Sequence, residues 1–99
     1  MDRTWIYFLH PPRPHFADTM TEAEEAVFAE HATHLARLLA DGVLLLAGPT
    51  LGEVNTGIAV LRAPDEATAR ALMLADPVVR DGLVRGELRE LRATFLAGG

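Results

Sequence analysis

Four histidines and one aspartate hold the positions from which this chain could move protons: His10, His15, His31, His34 and Asp76. His31 is the unusual one. It falls on the stripe Val27, His31, His34/Leu35 and Leu38, the spacing of one helix face, so an imidazole sits among apolar side chains. An imidazole titrates near neutrality, and with a carboxylate partner to fix its tautomer it serves as a general base or acid. The plainer alternative is a core histidine bonded to a backbone carbonyl. Asp76 precedes Pro77 at the end of a helical segment, where it is either a functional carboxylate or a turn residue bonding its own backbone. Gly48-Pro49 closes an apolar run at a point where backbone can approach a ligand closely.

The substrate-binding candidates are His10, Arg13, His34, Gly48 and Pro49. Arg13 stands among Pro11, Pro12 and Pro14, and its guanidinium could fork onto an anionic group; otherwise it is a solvated loop arginine. His10 and His15 flank the same loop, as pocket rim or as solvated residues. A rival constellation is a metal site made of His31, His34 and Asp76, although no HExxH pattern supports it. No cofactor is expected. Other chemistries are closed by composition. The chain has no Cys, Ser or Lys, which removes thiolate and serine nucleophiles, disulfides and Schiff-base lysines. Gly48-Pro49-Thr50-Leu51-Gly52 matches neither phosphate-loop nor dinucleotide-loop spacing.

These residues must be positioned by a small scaffold. The 99 residues make one domain, spanning 1–99 with a core of about 4–96, and 49% hydrophobic with 23% charged residues is ordinary for a globular protein. A net charge of −5 makes nucleic acid a poor partner. The apolar stretch after Arg3 is too short for a signal peptide, and Val43 to Ala47 is too short to span a bilayer, so a cytoplasmic protein is expected, with no membrane partner.

Thr4 to Leu9 reads as a strand stopped by prolines, and residues 11–20 as an irregular proline-rich loop. Thr21 and Glu24 form a capping box for a helix from about Glu22 to Asp41, ended by Gly42. Val43 to Gly48 is a continuous apolar run, expected to be a strand covered on both faces and paired as a hairpin with Gly57 to Arg62. Pro64 to Ala75 is a second helix, burying Ala67, Ala71, Leu72 and Leu74 and broken by Asp76-Pro77. Val78 to Gly82 is a tight turn, Val84 to Leu96 a last strand with a register irregularity, and Gly98-Gly99 a frayed end. The order βαββαβ predicts a ferredoxin-like α+β fold, a four-stranded antiparallel sheet with two helices on one face. Apolar middle strands, with Trp5 and Tyr7, suggest that the other face is covered in a two-fold homodimer.

The residues His31 to Gly42, then Val43 to Pro49, then Gly57, then Asp76-Pro77 and Gly82, together resemble the YciI-like (YCII-related) family. That family's pattern is a His eleven residues before a Gly, an Ala-Gly-Pro after the next strand, a helix ending in Asp-Pro, and a nearby Gly; His31 fills the His position. The resemblance implies a dimeric α/β-barrel arrangement and a pocket in which His31 and Asp76 form an acid/base pair. It further implies lyase or isomerase chemistry, since some relatives are dehydrochlorinases of chlorinated hydroxyquinols. The chain departs from many relatives in carrying Val27 to Glu30 where they have an Arg. Two functions are therefore expected as alternatives. One is a small-molecule enzyme of lyase or isomerase type, with His31 and Asp76 catalytic. The other is a non-catalytic ligand-binding or dimerisation module with a structural His–Asp pair.

Overall fold

The computed structural model describes residues 2–98; Met1, at the start of the expected domain, and Gly99, in its expected frayed end, lie outside the described residues. Alternation along β1 (Arg3–His10) decides which way the sheet faces. Trp5, Tyr7 and Leu9 are buried, while Thr4, Ile6, Phe8 and His10 alternate onto the other side. β3 (Gly57–Ala63) pairs antiparallel with β1, setting Leu61 opposite Trp5 and Ala59 opposite Tyr7. β4 (Arg85–Glu90) takes the other edge of β1, and β2 (Leu44–Pro49) the other edge of β3. The sheet order is β2-β3-β1-β4.

Two long helices, α2 (Glu22–Ala40) and α3 (Glu66–Ala75), and two single turns, α1 (Phe16–Thr19) and α4 (Pro77–Arg80), fill the crossovers. Leu38 of α2 and Ala69 and Met73 of α3 share one core with Trp5, Tyr7, Leu9, Ala59 and Leu61, so both long helices lie on the same sheet face. This is the ferredoxin-like α+β fold that the element order implies.

Local signals set the boundaries. Thr21 Oγ1 accepts from the Glu24 amide at 3.1 Å, and the Glu24 carboxylate accepts from the Thr21 amide at 2.8 Å, closing the capping box. Gly42 stops the helix with φ 74°, a conformation that side chains disfavour. Gly86 sits in a tight place: a Cβ there would lie 3.0 Å from Met73 Sδ and 3.2 Å from a Val79 methyl, so those side chains would have to give way slightly.

Several expectations are corrected. The 11–20 loop is not wholly irregular, because Phe16 to Thr19 forms a helical turn with Phe16 buried. β2 is an edge strand and Leu46 is 59% exposed, so it is not covered on both faces within the chain. Its continuous apolar run reflects a register shift between Leu44 and Leu46, which breaks the usual alternation. β4 ends at Glu90 rather than Leu96 and pairs with β1 without a shift. On α3 the buried residues are Ala69 and Met73; of the expected side Leu72 packs against the core, while Ala67, Ala71 and Leu74 are exposed. Trp5 and Tyr7 face the helices, not the open face of the sheet.

Leu61, on a central strand, is fully buried. Leu61→Ala removes its methyl groups and leaves a cavity, and should cost about 2–5 kcal/mol in urea unfolding.

Candidate active site

The break between α3 and α4 places the central group. Proline disfavours the helical conformation in the residue before it. Asp76 accordingly has φ −65° and ψ 123°, leaves the helix, and becomes the cap of α4, its Oδ1 accepting from the Val78 amide at 3.2 Å. The turn drives its side chain inward, and Asp76 is 0% exposed. On the sheet side the Tyr7 hydroxyl donates to Oδ2 at 2.7 Å. From α2, His31 Nδ1 lies 2.8 Å from both carboxylate oxygens.

Three donors converge on this buried carboxylate. That set suits the ionised form, which accepts but has no proton to donate. His31 must therefore carry hydrogen on Nδ1, which leaves Nε2 as the basic nitrogen of the neutral ring. Nε2 has no hydrogen-bond partner among the described residues. Burial, with the neighbouring Asp76 charge and the hydrogen bond to it, pushes the Tyr7 phenol far above its ordinary value, so it stays a neutral donor.

His31 forms part of the wall of a cavity of about 360 Å³ at the end of the sheet where β1 and β2 finish and β3 begins. Its other walls are mainly hydrocarbon: Leu9, Phe16, Met20, Phe28, Leu35 and Val84, with Gly48, Pro49 and Gly57 as backbone lining. Phe28 meets the His31 ring edge-on at 5.3 Å, and Phe16 packs on Phe28 at 5.6 Å. A cavity of this size fits a single-ring organic molecule.

The wall formed by α1 is held from two sides. Arg13 clamps Glu24 through bonds of 2.8 and 3.0 Å and donates to the Thr19 carbonyl at 2.7 Å. That pairing, with the Thr21 amide, holds the Glu24 carboxyl down to about 2. On the other side the His15 amide donates to the Glu53 carbonyl at 2.7 Å, and the Ala17 amide to Asn55 Oδ1 at 3.0 Å.

The structure brings His31, Asp76, Gly48 and Pro49 to this one place, His31, Gly48 and Pro49 in the cavity wall and Asp76 behind His31. It does not bring the other candidates there. Arg13 is committed to Glu24 and lies over the Phe16 ring at 4.9 Å. His10 is on the opposite sheet face, 2.8 Å from Glu87 and stacked on Phe8. His34 does not line the cavity, and its Nε2 is buried without a partner. Among the described residues no three His, Cys, Asp or Glu side chains cluster as metal ligands, so His31, His34 and Asp76 do not make such a set.

Tyr7, Phe16, Met20, Phe28 and Asn55 belong to the site but carry no chemical motif. For Tyr7 the usable signal was parity: it shares a strand face with Trp5 and Leu9. Phe28 is one position from the Val27 stripe. Asn55 had only a local signal, turn chemistry, and its bond to Ala17 joins distant parts of the chain.

The sequence matches the YCII-related domain over residues 4–91. No curated protein matches it. Among solved structures it is similar to 5-chloro-2-hydroxyhydroquinone dehydrochlorinase from Burkholderia phenoliruptrix AC1100, in complex with 2,5-dihydroxybenzoquinone. The identity there is 18%, the TM-score 0.66, and the match covers 89% of this chain and 93% of that one. It is also similar to an uncharacterized protein from Thermotoga maritima, with 17% identity, TM-score 0.60, and coverage of 93% and 100%. At these identities the likeness concerns the fold. No helix among the described residues is long and apolar enough to cross a membrane.

The tyrosine at position 7 predicts an alkaline limit to stability. Its phenol ionises near 10.0 when unfolded and only well above that in the folded chain. The neutral form's contribution is therefore whole below about pH 10 and is lost as pH rises further. Phenolate absorbance should appear together with loss of the circular dichroism signal; phenolate in a still-folded chain near the ordinary value contradicts the assignment.

Proposed function

This chain belongs to the YCII-related domain family, and from that premise we propose that it is a lyase or isomerase of small ring substrates in which His31 carries the proton. The observation that supports this most is the divided imidazole. Nδ1 is spent on a buried carboxylate, and Nε2 is left unpartnered in a ring on the wall of an apolar cavity. Nε2 takes a proton from an acidic O–H or C–H of the bound ring. The freed electron pair forms a new π bond. In a lyase that pair, passed through the conjugated ring of the substrate's keto tautomer, expels an anion such as chloride from the carbon that ketonisation has made saturated; in an isomerase the proton returns at a second carbon. Asp76 stabilises the imidazolium formed on the way, and a positioned base of this kind contributes about 10²–10⁴ in rate. The Burkholderia relative is named for removing hydrogen chloride from 5-chloro-2-hydroxyhydroquinone, which makes chlorinated hydroxyhydroquinones the first substrates to try. The expected location is the cytoplasm.

Asp76 also ties three elements together, which favours a structural role for the pair as the second reading. The test is His31→Asn assayed by chloride release or quinone absorbance. Turnover should fall by about 10²–10⁴ while circular dichroism stays unchanged. An unfolded variant supports the structural role. A variant as active as the parent, or a parent that neither binds nor converts any hydroxylated quinone or hydroquinone, overturns the enzymatic reading.

The working unit is a homodimer formed through the open sheet face. Ile6, Phe8, Ile58 and Val60 are only partly covered there, Leu46 is 59% exposed, and Arg85, Glu87 and Arg89 supply both charge signs for a self-complementary contact. Phe8→Arg should shift sedimentation from dimer to monomer without loss of helix content; a wild-type chain that sediments as a monomer removes the proposal.

A further inference from the structure

We infer that Tyr7 is a positioning residue of this site: its hydroxyl, donating to Asp76, sets how strongly the carboxylate holds a proton on His31. The inference rests on the acid/base reading of His31 and adds a residue to it. Tyr7 is 0% exposed and does not line the cavity, so it has no direct access to a bound molecule there. Its hydroxyl does one thing, which is to donate to Asp76 Oδ2 at 2.7 Å.

Packing does not require that hydroxyl. The ring is surrounded by the same apolar core as Leu61, Ala59 and Val78, and a phenylalanine would fill the space without burying a polar group. What the hydroxyl changes is the carboxylate. Asp76 shares its negative charge among Tyr7, the Val78 amide and His31. Each neutral donor spreads charge that would otherwise act on the imidazolium. The Val78 bond is backbone and longer, at 3.2 Å, so Tyr7 is the side chain through which the pair is tuned. The other charged groups near the pair are Glu30 on α2 and Arg80 on α4, 4.0 Å apart, and Asp81, which holds Arg80 at 2.9 Å. His34 follows one turn along α2, and β2 presents no titratable side chain. All of these stay the same when only the phenol is altered.

The chain has a single tyrosine, so growth on ring-fluorinated tyrosine alters this one phenol and nothing else. Fluorination makes the O–H a stronger donor at nearly unchanged shape. The titration of His31 is followed by NMR of its ring proton in the parent, the fluorotyrosine protein and Tyr7→Phe. Proton affinity of His31 should fall in the fluorotyrosine protein and rise in Tyr7→Phe, the latter by up to roughly tenfold to a hundredfold, the size expected when a whole hydrogen bond to a charged group is lost. Lost packing cannot lower the affinity in one protein and raise it in the other. An unchanged His31 midpoint in the fluorotyrosine protein overturns the inference, even if Tyr7→Phe does not fold. The imidazole titrates whether or not a substrate is turned over, so this result is separate from failure of the enzymatic reading.

Discussion

A carboxylate without water is the constraint around which this molecule is arranged. Asp76 is the one fully buried charged side chain among the described residues, and such a group is tolerated only when its lone pairs are used. Its three donors come from the sheet (Tyr7), the long helix (His31) and the turn after Pro77 (the Val78 amide). Satisfying the charge therefore joins the first strand to both crossovers. The same arrangement divides the imidazole into a committed nitrogen and a free one. Stability and chemical capacity come from one set of bonds.

The cavity beside it is shaped by a different economy. Its hydrocarbon walls come from β1, α1 and α2, and its floor from backbone at Gly48, Pro49 and Gly57. Asn55 reaches it too, but its carboxamide is occupied by the Thr50 and Gly52 carbonyls and the Ala17 amide. Arg13, the nearest candidate for an anion anchor, is neutralised by Glu24. A molecule bound here is thus held by shape and apolar contact, with His31 as the main polar contact available to orient it. The proline-rich segment matters because it carries Phe16 and Met20 into the wall and fastens them at both ends.

Much of this was legible in the order of residues. The capping box at Thr21 and Glu24, the stop at Gly42 and the break at Asp76-Pro77 are local signals, and the helices they bound are where the spacing put them. The sheet followed from the βαββαβ order. The pattern failed where two signals competed. Leu44 and Leu46 straddle a bulge, so an edge strand looked like a doubly covered one. Ala-rich α3 offered several near-equivalent apolar faces, and contact with the sheet and β4 chose Ala69 and Met73.

The order of residues settled where the two long helices and the first three strands run, and singled out His31 and Asp76 as residues in need of a partner; it missed the α1 turn and overran the end of β4. It could settle that much because helix period, strand alternation, capping and proline sterics act over a few neighbouring residues. Only the tertiary structure decided that Tyr7 completes the pair, that Arg13 turns to Glu24, and that His10 and His34 stay away from the cavity. Those outcomes depend on strand parity and helix rotation summed over the whole chain: Tyr7 and Asp76 are 69 residues apart, His31 and Asp76 45. No spacing rule spans such distances; the fold brings these side chains together only after every intervening element has found its place.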